Sequence, residues 1–104
     1  MDKETVKTII SFIKAELQLK GVKLLGIALF GSQLSGSSKP DSDIDLIIIS
    51  ENFENKNIFE RSDLTMDAEI KALKKFRVPI DILKMTAEEF NQSLQNKRFD
   101  AQLI

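Results

Sequence analysis

The 104-residue chain is long enough for one hydrophobic core but not two, so a single domain over residues 1–104 is expected, and 42% apolar with 30% charged residues is the balance of a globular protein. With neither Cys nor His, disulfides, thiol catalysis, imidazole bases and the common zinc sites are excluded, which leaves carboxylates, hydroxyls, lysines, backbone amides and a hard metal ion to carry chemistry. A net charge of −1 gives no general attraction for nucleic acid, the apolar runs are too short for a membrane span, and the N-terminus lacks a signal-peptide pattern, so a cytoplasmic location is expected.

Val6, Ile9, Ile10, Ile13 and Leu17 recur at helical spacing and Gly21 is placed to end the run, predicting a first helix from Asp2 to about Lys20. Leu24 to Phe30 is almost wholly apolar and stops at Gly31, as a strand buried on both faces would. Residues 32–41 are rich in Ser, Gly and Pro, with room for a short helix that has Ser32 near its start. Ile44 to Ile49 reads as the next strand, closed by Ser50-Glu51-Asn52. A helix is predicted from about Ile58 to Phe76, with Leu64, Ala68, Leu73 and Phe76 facing inward. Val78 to Leu83 is the third strand, and Pro79 places it at an edge or confines the proline to its first residues. Thr86-Ala87-Glu88-Glu89 is a capping-box pattern that starts a last helix carrying Phe90 and Leu94. The apolar tail from Phe99 to Ile104 is expected to pack on the sheet, with docking of a partner as the alternative.

Three aspartates break this pattern. Asp43 and Asp45 are one residue apart, so on a strand they share a face at roughly 7 Å spacing. Turn chemistry accounts for Asp41 but not for Asp45, which lies inside an apolar run where an unpaired carboxylate carries a desolvation cost of several kcal/mol. Asp81 interrupts the third strand in the same way. It either pairs with a lysine of Lys71-Ala72-Leu73-Lys74-Lys75 or, if the second and third strands are neighbours, joins the other two aspartates. Three hard oxygen donors with positions left for water and phosphate suit magnesium better than calcium or zinc. Two such ions about 3.5–4 Å apart clamp the attacking and leaving oxygens of a phosphoryl or nucleotidyl displacement.

The Gly31-Ser32 turn lets a backbone approach a phosphate, with amides and a hydroxyl as donors. Two other motifs fail. Residues 31–38 have P-loop glycine spacing, but Ser37 stands where the phosphate-binding lysine belongs. Residues 41–52 begin like an EF-hand, but Leu46 replaces its glycine and Asn52 its glutamate.

Leu29-Phe30-Gly31-Ser32, then Asp43-Ile44-Asp45-Leu46, then Asp81 on a later strand resembles the DNA polymerase β-like nucleotidyltransferase superfamily, and the short chain resembles its minimal nucleotidyltransferase (MNT) branch. The resemblance implies an α/β (α+β) fold, a small mixed β-sheet flanked by helices. It implies that Asp43 and Asp45 hold two Mg2+ ions and the triphosphate, that Asp81 binds the catalytic ion and helps deprotonate the acceptor, and that Gly31 and Ser32 hold nucleotide phosphates. It further implies transfer of AMP from ATP to a hydroxyl on a separate helical protein of the HEPN type, as in a toxin–antitoxin pair. Basic residues common after the Gly-Ser turn in that branch are replaced here by Gln33-Leu34-Ser35, with Lys39 further on. A module that neutralises a partner by contact alone is the alternative, and transfer to a small molecule ranks third.

Overall fold

The computed structural model describes residues 2–31, 43–96 and 101–104. Helix α1 (Lys3–Leu19) is capped by Asp2, whose carboxylate accepts from the Thr5 amide at 2.7 Å, and it buries the five apolar residues whose spacing announces it. At its end Gly21 takes a φ of +83°, a conformation open to glycine, and turns the chain into strand β1 (Leu24–Phe30). Strand β2 (Ile44–Ser50) runs back antiparallel to β1, and a single 3-10 turn follows at Glu51–Phe53. Buried Ser50 fixes this corner: its hydroxyl donates to the Lys23 carbonyl at 2.7 Å, and the Asn52 side-chain oxygen accepts from the Lys23 amide at 2.7 Å.

Helix α2 (Ile58–Phe76) starts at an Asn57/Glu60 capping box and stops at Arg77, which adopts the left-handed conformation with φ 57°. Strand β3 (Ile80–Met85) pairs in parallel with β2, and helix α3 (Ala87–Gln95) begins at the Thr86/Glu89 capping box foreseen in the sequence. Strand β4 (Ala101–Leu103) pairs antiparallel with β1, giving a mixed sheet in the order β3-β2-β1-β4.

Helices α1 and α2 cover one sheet face, where Ile27, Ile44, Leu46, Ile48 and Phe53 meet Ile9, Ile13 and Leu17. Their contact includes an edge-on Phe12–Phe76 pair with ring centroids 5.4 Å apart. Helix α3 covers part of the other face, where Phe90 packs over Ala28, Ile47 and Ile49. The fold is therefore the small α+β arrangement with a mixed sheet flanked by helices that the sequence leads one to expect. Among the described residues no helix is long and apolar enough to cross a membrane.

Three expectations need correction. Strand β1 is buried only in its middle: the β1–β2 register shifts between Leu24 and Gly26, and Leu25 at that irregularity is exposed. Leu73 does not face inward but is 52% exposed, because α2 presents the smaller Thr65, Ala68 and Ala72 to the core. Strand β3 starts two residues later than expected and extends to Met85, since Pro79 contributes only its carbonyl, to the Ile44 amide at 3.1 Å. The tail packs on the sheet as expected, by pairing along β1 as the edge strand β4.

One side chain ties the second half together. Arg61 donates from Nε to the Lys56 carbonyl and from Nη1 to the Lys84 carbonyl, each at 2.9 Å. It also holds both Glu89 carboxylate oxygens, at 2.7 and 3.1 Å. Arg61→Met is therefore expected to destabilise the domain by about 2 kcal/mol. The Arg61 hydrogen bond holds the Glu89 carboxyl below its ordinary value of 4.5, so the stabilisation is present above that value and is lost as pH falls through the lower folded one. Urea unfolding at neutral pH and at about pH 3 should show a smaller acid-induced loss in Arg61→Met than in the native chain; equal losses would contradict this.

Candidate functional site

Strand β1 ends where β2 begins, because the two are antiparallel, and β3 begins there too, because it is parallel to β2. The registers place Asp81 opposite Asp45, Asp45 opposite Phe30, and Phe30 opposite Ala101, so one row of side chains crosses all four strands on a common face. That face is the one α3 covers further along, near Ile47 and Ile49. Asp43 lies one residue before β2 and two before Asp45.

Six of the seven β2 residues are fully buried, and Asp45 is the exception, half-buried at the mouth of the sheet, while Asp43 and Asp81 are exposed. Burial pushes the Asp45 carboxyl above its ordinary value of 3.8, and repulsion from Asp81 and then Asp43 pushes it further in the same direction. A hydrogen bond to the Asp81 side chain also favours the protonated form. Asp45 and Asp81 are thus two acids in contact.

Among the described residues no lysine compensates them. Lys71 instead pairs with Glu16 at 3.2 Å, and Lys75 lies 4.9 Å from the centre of the Phe12 ring. Among the described residues no lysine or arginine forms an ion pair with Asp43, Asp45 or Asp81. Two repelling carboxylates with a third near enough to be felt are a donor set suited to a hard divalent cation, which would remove the repulsion. Among the described residues no three acidic side chains are already gathered around a single ion position, so the arrangement is a contacting pair with Asp43 beside it.

Gly31 completes the geometry. It closes β1 with a φ of +74°, and a Cβ built on it would run into the Asp45 carboxylate. Glycine here makes room for the acid as well as for the turn, a relation that the sequence shows only as a glycine following a strand. Phe30 and Ala101, which extend the carboxylate row, carry no chemical signature that would mark them in advance. Ser32, the other expected phosphate-binding residue, and the short helix expected after it lie outside the described residues. Two surface clefts of about 370 and 430 Å3 lie around Lys84 and Met85, toward the far end of β3 from Asp81.

The chain matches the family model of the nucleotidyltransferase domain over residues 6–103. No curated protein matches it. Among solved structures it resembles a candidate nucleotidyltransferase from Sulfolobus solfataricus, with TM-score 0.60 and 20% identity over 99% of this chain and 87% of that one. It also resembles a toxin–antitoxin structure with AMP-PNP, with TM-score 0.54 and 18% identity over 88% of this chain and 68% of that one. BolA1 from Arabidopsis thaliana shares the fold at TM-score 0.56 and 18% identity, over 78% of this chain and 94% of that one. At these identities the likenesses concern fold alone.

Proposed function

Since the chain belongs to the nucleotidyltransferase domain family, we propose that it transfers AMP from ATP to a hydroxyl on a partner protein, at the site formed by Asp43, Asp45 and Asp81. The observation that carries this reading is the Asp45–Asp81 contact across the parallel β2–β3 ladder, beneath a glycine with no room for a side chain. Asp43 and Asp45 would hold two Mg2+ ions and Asp81 the catalytic one, and the ions would supply Lewis-acid stabilisation of charge on the phosphate oxygens. The acceptor hydroxyl oxygen bonds to the α-phosphorus, the bond from that phosphorus to the bridging oxygen breaks, and pyrophosphate departs with the electron pair. Asp81, exposed and at the end of the carboxylate row, takes up the hydroxyl proton. The Gly31 backbone and the Ser32 amide and hydroxyl position the phosphates.

A separate helical protein of the HEPN type is the proposed acceptor, as in an antitoxin of the MNT branch; the neighbour whose description names a toxin–antitoxin with AMP-PNP supports the pairing. Absence of a basic residue in Gln33-Leu34-Ser35 favours the second reading, a module that binds nucleotide weakly and neutralises its partner by contact. ATP labelled at either the α- or the γ-phosphate separates the possibilities. Transfer of α-label alone, dependent on magnesium and lost in Asp81→Asn, is expected. Transfer of γ-label, or full transfer by Asp81→Asn, would contradict the assignment.

A further inference from the structure

Helix α2 carries an apolar face that no other part of the described chain covers. Phe59, Met66, Ile70 and Leu73 are 44–78% exposed, and they share one side of the helix, away from the core-facing Thr65, Ala68 and Ala72. With Asp63 and Arg77 they form a series of alternating four- and three-residue steps, Phe59, Asp63, Met66, Ile70, Leu73 and Arg77, the spacing of a two-helix seam. The flank toward α1 is already in use, through Lys20–Asp67 at 2.7 Å and Lys71–Glu16 at 3.2 Å. The flank toward β3 is used as well, through Lys84–Glu69 at 3.3 Å.

We propose that this face pairs with the same face of a second copy of the chain, the two α2 helices running antiparallel about a two-fold axis. Charge selects both the occupant and the direction. Residues 60–69 of α2 carry Glu60, Asp63, Asp67 and Glu69, with Arg61 among them already held by Glu89, and residues 71–77 carry Lys71, Lys74, Lys75 and Arg77. Asp63, Lys74 and Arg77 make no ion pair among the described residues. In an antiparallel pair the seam sets Met66 against Ile70, Asp63 against Leu73 with Lys74 beside it, and Phe59 under Arg77 as a cation over an aromatic ring. A parallel pair would set Asp63 against Asp63 and Arg77 against Arg77, which repel. Asp67 and Glu69, which flank the centre, keep their own counter-ions in Lys20 and Lys84. One helix seam is small beside the ~800 Å2 per partner of a typical stable interface, so a dimer with a micromolar Kd is expected.

Sedimentation velocity on the full chain across the micromolar range tests this. The native chain should pass from monomer to dimer, and Ile70→Lys, an exposed position, should weaken the dimer at least about tenfold, with an unchanged melting curve at concentrations where both chains are monomeric. Asp63→Lys alone and Lys74→Asp alone should each weaken it, and the double variant, which restores opposite charges across the two-fold, should recover most of the loss. A native chain that stays monomeric throughout, a dimer unaffected by Ile70→Lys, or a double variant weaker than both single ones would overturn the proposal.

Discussion

Asp45→Asn is expected to lower nucleotidyl transfer more than about 100-fold while leaving the domain folded. Loss of an outer group that merely orients a metal ligand already costs about 10–100-fold, and Asp45 is placed to be a ligand itself. Its stability should not suffer. The Asp45 carboxyl is held above its ordinary 3.8 by burial and by Asp81, so its favourable contribution is present below that value and is lost as pH rises through the higher folded one. Above the folded value, in the absence of divalent ions, the ionised side chain opposes folding, and Asn relieves it. Thermal melts with EDTA should therefore place Asp45→Asn at or above the native chain, and magnesium should raise the melting temperature of the native chain only. A marked fall in stability for Asp45→Asn would mean that the residue is structural.

Gly31→Ala is expected to be the next most damaging change, through geometry and not through lost chemistry. The added methyl group would meet the Asp45 carboxylate, so the acid must move. A displacement of about 1 Å in a reacting constellation costs about 100-fold in rate. The backbone at φ +74° adds a strain of about 1–2 kcal/mol for any residue with a Cβ. Gly21 provides the control: its φ is +83°, yet nothing lies within 4 Å of a Cβ built there. Gly21→Ala should lose a similar amount of stability and keep full transfer. If both variants lose stability equally and both retain activity, the close approach of Gly31 to Asp45 has no functional weight.

Helix α1 was legible because its inward side chains are the large ones. Helix α2 was legible in extent and largely in orientation, since Ala68 is buried and Leu64 and Phe76 pack against the core as expected, but its fully buried positions are the small Thr65, Ala68 and Ala72, and Leu73 points outward. Equating large and apolar with buried therefore misplaces Leu73 while leaving Leu64 and Phe76 correctly placed. Strand β4 is three residues long, too short to carry a period, and its own composition does not encode its pairing with β1. The bulge that exposes Leu25 is likewise a property of the pairing and not of Leu24 to Phe30 alone.

For the candidate site, the anomaly was visible and the contact was not. Asp45 and Asp81 each interrupt an apolar run, which marks both as costly. That they meet depends on the parallel register of β2 and β3, which sets Ile44 against Ile80 and so Asp45 against Asp81. A shift of one residue would send the two carboxylates to opposite faces. The steric relation between Gly31 and Asp45 depends in the same way on the antiparallel β1–β2 register.

The most direct measurement is the intact mass of a purified HEPN-type partner after incubation with this chain, ATP and magnesium, beside a sample containing Asp45→Asn. The partner should gain the mass of one or more AMP groups with the native chain and none with the variant. A partner that binds the native chain and is neutralised by it without any gain in mass would contradict nucleotidyl transfer and establish inhibition by contact.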